Sequence, residues 1–213
     1  KADIHQEPEG IMDLWDNGLP DGINGCSGSA WGTYNRELVD DFENTVPWIV
    51  DGGQFRLVTY YGYGPEAITA VNVMFYADNS GVPEVTPFAT FTATYTAWLT
   101  GDYYFSRPEV AVDVSFGPQV LSPGIYWVEF QPISTDNCFW LTSTGWRNEI
   151  YLSYPDQGYS KWTAGSIVFG AYYYGVAYKL TGNIAGVEHD VSVNSIISPV
   201  SGAAGEEFTP KIK

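Results

Sequence analysis

Apolar and polar residues alternate along nearly the whole chain, and a period of two confines it to β-sheet. In Phe88-Ala89-Thr90-Phe91-Thr92-Ala93-Thr94-Tyr95-Thr96-Ala97-Trp98, one face carries Phe91, Ala93, Tyr95 and Ala97 and the other Thr90, Thr92, Thr94 and Thr96. That is a strand with one apolar side. The same alternation sets Val110, Val112, Val114 and Phe116 against Glu109, Ala111, Asp113 and Ser115, and it recurs through Phe55, Leu57, Thr59 and Tyr61, Ile125 and Trp127, Ile150 and Leu152, and Val176, Tyr178 and Leu180. Turn clusters separate these runs: Tyr63-Gly64-Pro65, Asp78-Asn79-Ser80-Gly81, Ser122-Pro123-Gly124 and Tyr154-Pro155-Asp156-Gln157-Gly158. A helical period is never sustained, although residues 35–44 could hold a single turn. Many short strands with Gly/Pro turns predict an all-β protein, an antiparallel jelly-roll β-sandwich.

The 213 residues include 16 Tyr, 11 Phe and 8 Trp, and 45% are hydrophobic against 16% charged. A chain so composed can bury a core, unlike a disordered acidic tail. Its formal net charge of −16 argues against a nucleic-acid partner, which needs clustered Lys and Arg. No apolar run approaches the roughly 18 residues that would suggest a membrane-spanning helix.

Aromatic density falls sharply after Leu180-Thr181-Gly182, with Phe208 the one aromatic in residues 187–213. The expected organisation is an N-terminal strand or linker over 1–9, the sandwich over 10–182, and a linker with two further strands over 183–213. Two strands cannot form a core of their own. The tail, through Asp190, Val191, Val193, Ile196, Phe208 and Ile212, is therefore expected to fold back as a hairpin or to add to an open sheet edge of the next copy, building a head-to-tail polymer.

Cys26 and Cys138 sit in polar, turn-rich surroundings. They suit one long-range disulfide in a secreted protein, worth about 4–5 kcal/mol by loop closure, or else are two unrelated free thiols. His5 and His189 lie near opposite ends, so no histidine relay or zinc motif is written here. Gly25-Cys26-Ser27-Gly28-Ser29 lacks the second glycine of a nucleophile elbow. Glu37, Asp40, Asp41, Glu43 and Glu129 could supply a carboxylate pair, but adjacent Asp40 and Asp41 on a strand point to opposite faces. The expectation is a protein without catalysis. Asp13, Asp16, Asn17, Asp21 and Asn24 crowd a Gly-rich loop and could hold calcium through hard oxygen ligands, though Asp and Asn are equally ordinary turn formers. Trp140, Trp146, Arg147, Tyr151, Tyr154, Tyr159 and Trp162 fall in one turn-rich stretch, with Asn148 and Asp156 nearby. They could stack on and hydrogen-bond a sugar, or simply pack in the core.

Val39-Asp40-Asp41-Phe42, residues 73–83, residues 121–128 and residues 176–182 together resemble a jelly-roll module of large secreted bacterial and archaeal surface proteins, over roughly residues 10–182. The tail, with Asp190-Val191-Ser192-Val193, Ser198-Pro199 and Phe208-Thr209-Pro210-Lys211-Ile212, is similar to the opening of the bacterial cell-adhesion-related repeat, an immunoglobulin-like domain. These resemblances imply a secreted or cell-surface setting, tandem domains and no chemistry of the module itself. The expected function is that of a non-catalytic structural or adhesive protein whose partners are copies of itself or other surface proteins. Carbohydrate binding, with a polysaccharide partner, is the alternative.

Overall fold

The computed structural model describes residues 12–145, 147–170 and 175–186. The alternating runs become strands β1 (Met12–Asp16), β2 (Pro20–Ser27), β3 (Ala30–Trp31), β4 (Tyr34–Asn35), β5 (Glu37–Asn44), β6 (Trp48–Thr59), β7 (Ile68–Ala77), β8 (Ala89–Tyr104), β9 (Arg107–Leu121), β10 (Gly124–Ser134), β11 (Cys138–Ser143), β12 (Tyr151–Tyr154), β13 (Tyr159–Ala164), β14 (Gly175–Val176) and β15 (Tyr178–Ile184). One short helix, α1 (Gly165–Phe169), follows β13. The single helical turn expected within 35–44 is absent: β5 occupies that stretch, pairing with β10 on one side and β12 on the other. Its buried Leu38, Val39 and Phe42 outweigh any local helical preference.

The strands form an all-β, essentially antiparallel sheet that does not close, in the order β1-β15-β6-β9-β8-β7-β10-β5-β12-β13, with β11, β2 and β14 joined beside β6. β8 is the corner. Its first residues, Ala89 to Ala93, pair with β7, while Thr94 onward pairs with β9, so one strand belongs to two layers. The threonines Thr90, Thr92, Thr94 and Thr96 face solvent and Ala93 is buried, as the alternation requires.

Between the layers lies the main core. Phe55 of β6 stacks on Phe130 of β10 with ring centroids 5.1 Å apart, and Trp140 of β11 meets both edge-on. Each such buried side chain contributes on the order of 1.5–3 kcal/mol of transfer free energy. Gly53 makes that contact feasible: a Cβ there would lie 2.6 Å from the Lys179 carbonyl oxygen and 3.1 Å from the Phe130 ring.

A second, smaller core forms on the other face of β5, β10 and β7. Trp162 of β13 meets Tyr76 of β7 edge-on at 5.1 Å, although four strand spacings separate them in pairing order. A flat sheet would put them about 19 Å apart. The β12–β13 hairpin therefore curls back over the outer face, covering Val39, Tyr76 and Trp127.

The buried acids tie these layers together. Asp40 points into the sandwich, accepting hydrogen bonds from Asn17 Nδ2 (2.9 Å) and the Val176 amide (2.8 Å). Asp41 points the opposite way, to Arg147 Nη1 (2.9 Å) and Asn148 Nδ2 (2.6 Å). Desolvation pushes the Asp40 carboxyl up, against the pull of the Val176 and Asp41 amides.

The expected disulfide is corrected: Cys26 and Cys138 are free, buried thiols. They lie on neighbouring strands, but the β2–β11 register sets Cys26 opposite Trp140, and Cys138 accepts at its carbonyl from Gly28. The pair is thus diagonal, where Cα atoms are typically about 7–8 Å apart and beyond ordinary disulfide geometry. Asp190, Val191, Val193, Ile196, Phe208 and Ile212, named above for assembly, lie outside the described residues, as does Trp146.

Candidate ligand-binding site

The residues picked for sugar binding from the sequence mostly pack inside. Trp140 is buried, with Nε1 donating to the Ala177 carbonyl (3.0 Å). Tyr154 is buried and its hydroxyl donates to the Ser27 carbonyl (2.7 Å). Trp162 belongs to the outer core and donates to the Glu84 carbonyl (2.8 Å). Tyr151 meets Trp127 edge-on, Tyr159 packs against the main core, and Arg147 is held by Asp41 and Glu43. The polar tips of Trp140, Tyr154, Trp162 and Arg147 are thus spent on protein partners, and the aromatics among these residues pack against the sheet layers.

In the loop expected to hold calcium the side chains have protein partners. Asp13 and Asp16 pair with Lys179, Asn17 is buried against Asp40, and Asp21 accepts from Thr142 Oγ1 and the Ile23 amide. Asn24 Oδ1 caps the Gly25 amide. Among the described residues no three metal-ligating His, Cys, Asp or Glu side chains converge.

The five candidate carboxylates are also committed elsewhere. Glu37 pairs with Lys161 (2.8 Å) and Glu43 with Arg147 (3.0 Å), beside Asp40 and Asp41 as described. Glu129 is fully buried, its Oε2 accepting from the Tyr76 hydroxyl (2.7 Å) while Oε1 has no partner. Burial first, then the neighbouring Glu37 charge, push this carboxyl up to about 8.

Aromatic side chains do gather at the surface elsewhere. The β3–β4 hairpin turns through Gly32-Thr33, with Gly32 at φ +55°, where glycine carries no side-chain penalty. This tight turn sets Trp31 opposite Tyr34, and the rings stack at 4.9 Å with planes 22° apart. Beside them Arg36 forms a two-pronged bond to Asp156, Nε to Oδ1 at 3.0 Å and Nη2 to Oδ2 at 2.5 Å. The guanidinium lies between two rings, 5.3 Å from Trp31 and 4.8 Å from Tyr154. This contact holds Asp156 below the usual carboxylate range and Arg36 above its own.

The opposite wall comes from the end of β6, where Tyr60 and Tyr61 follow one another and Tyr63 stands two further on. Their rings form a chain, with centroids 5.0 Å and then 5.7 Å apart, and Tyr61 is 71% exposed. Asp136 anchors this segment by accepting the Tyr61 amide (2.8 Å), and the Tyr60 amide donates to the Asn137 carbonyl (2.9 Å). Asn137 is in turn fixed by Ser27 Oγ (2.6 Å). Between the walls lies a cleft of about 340 Å³, bordered by Trp31, Tyr34, Arg36, Tyr60, Tyr61 and the polar run Thr135 to Asn137. A second cleft of about 220 Å³ is bordered by Asn24, Val58, Phe105, Arg107 and Phe139. Tyr60 borders both.

The sequence points to Asp156, and to Tyr154 against Arg36, but not to the rest of this site. Its signal was Tyr60-Tyr61-Gly62-Tyr63, where adjacent aromatics break the alternation and cannot all face one core. Fold and cleft together define an all-β sandwich bearing an aromatic-walled surface cleft. The chain matches no protein-family model and no curated protein.

Proposed function

We propose that this is a non-catalytic carbohydrate-binding β-sandwich of a secreted or cell-surface protein, which seats pyranose rings on the Trp31–Tyr34 stack. The observation that carries the reading is that stack, with Tyr34 exposed and Trp31 half-buried, beside the Arg36–Asp156 fork in a 340 Å³ cleft. An aromatic face covers the apolar face of a sugar ring, while planar donors and acceptors at its rim fix the hydroxyls. Asp156, Arg36 and the Asp136-Asn137 segment supply such groups without rearrangement, because each is already anchored. The five carboxylates considered for catalysis border neither cleft. An adhesive role follows naturally from glycan binding, and the surface-protein resemblance supports an extracellular setting. Assembly by strand addition draws on residues outside the described ones.

The test is a glycan array followed by titration calorimetry of the hits. Trp31→Ala and Tyr34→Ala should each weaken binding by about tenfold or more with the melting temperature nearly unchanged, since both side chains sit on a short surface hairpin. Undiminished binding by Trp31→Ala would refute this placement of the site.

A further inference from the structure

We propose that the glycan is an acidic one, and that Arg107 in the second cleft receives the carboxylate of a uronic-acid unit. This narrows the ligand class of the carbohydrate reading and rests on it. Six cationic side chains lie among the described residues. Five are paired: Arg36 with Asp156, Arg56 with Glu109, Arg147 with Asp41 and Glu43, Lys161 with Glu37, and Lys179 with Asp13 and Asp16. Arg107 is the sixth, and no carboxylate among the described residues lies within ion-pair distance of it. In a chain with 25 acidic and 9 basic residues, a guanidinium left without a counter-charge is the exception.

Its orientation is nevertheless fixed. Nε donates to the Tyr60 carbonyl (2.5 Å), Nη1 donates to the Phe105 carbonyl (3.1 Å), and the guanidinium lies 5.2 Å from the Tyr60 ring centroid. Neutral acceptors orient the group without neutralising it, and Nη2 makes no hydrogen bond among the described residues. The cleft around it is bordered by Asn24, Val58, Phe105 and Phe139, with no acidic side chain. A rigid guanidinium in a recess with aromatic walls is suited to a planar carboxylate, which it can grip with parallel N–H donors.

One side chain joins this recess to the sugar cleft. Tyr60 borders both, so the recess and the sugar cleft share a side chain. The β8–β9 turn, Phe105-Ser106, holds both residues at positive φ, +54° and +60°, in a conformation that Phe and Ser adopt only under strain. That strained turn places the Phe105 carbonyl on Arg107 and borders the cleft with Phe105.

The experiment titrates the whole protein with galacturonate, alginate and hyaluronan oligosaccharides and with the same oligosaccharides after carboxyl reduction. An acidic subsite predicts that at least one native oligomer binds about tenfold or more tightly than its reduced form. Arg107→Gln should erase that preference, read as the ratio of native to reduced affinity within the one variant, and Arg107→Lys should restore part of it. Trp31→Ala should weaken both forms. Equal binding of native and reduced oligomers, or a preference that survives in Arg107→Gln, would overturn the acidic subsite and leave the carbohydrate reading standing. Failure of every uronate, reduced or neutral glycan to bind would overturn both. Unchanged melting of Arg107→Gln confirms that the loss is one of contact and not of fold.

Discussion

Glu129 offers the sharpest test of how the curled sheet shapes chemistry. Its carboxyl is fully buried beneath the β12–β13 hairpin, bonded to Tyr76 and next to the Glu37 charge, and it titrates at about 8 against an ordinary 4.5. Between these values the folded protein retains a proton that the unfolded chain has released. The group's stabilising contribution is therefore complete below pH 4.5 and is lost as pH rises through 8, at about 1.4 kcal/mol per pH unit. A gap of about 3.5 pH units sets the full loss near 5 kcal/mol, of which about 4 should fall between pH 5 and pH 8. Glu129→Gln cannot ionise, and its amide oxygen can still accept from Tyr76. Urea unfolding followed by tryptophan fluorescence at intervals from pH 5 to pH 9 should show the wild-type protein losing stability with a steeper slope than the variant. The variant should be the more stable of the two at pH 9. Asp40, whose carboxyl is also pushed up, contributes a slope of the same sign to both proteins, so the difference between them isolates Glu129. Parallel curves would show that the buried carboxyl is not held neutral, and the reasoning would fail.

Two further outcomes follow from buried groups. Asp40→Ala strands the amides of Val176 and Asp41 in the interior, and should lower unfolding free energy by about 3 kcal/mol in urea titration; a loss below about 1 kcal/mol would mean that water or another group takes over these donors. Burial pushes the Cys138 thiol up to about 12 and Cys26 higher still. Both should resist a thiol reagent at pH 8 in the native protein and react fully in denaturant, whereas intact-mass detection of an oxidised pair in protein purified without reductant would contradict the free thiols.

Period-two alternation made the strands legible, because which face a residue takes on a strand is a local property of the backbone. The Thr90–Thr96 face and the adjacent Asp40 and Asp41 side chains pointing apart both followed from it directly. What the alternation did not carry was which aromatics remain outside. Trp162 and Tyr154 lie in a turn-rich, polar stretch yet are buried, since the hairpin that bears them curls over Tyr76 or packs against β2. Trp31 and Tyr34, by contrast, sit on a two-residue turn too short to reach either core. Sequence also brought Cys26 and Cys138 onto neighbouring strands without fixing their register, and a diagonal offset is enough to keep two sulfurs unjoined. Fold class was thus written in the chain's own periodicity. The cleft, the unpaired Arg107 and the neutral Glu129 were decided by tertiary structure, because exposure, ion pairing and desolvation depend on neighbours that lie tens of residues away along the chain.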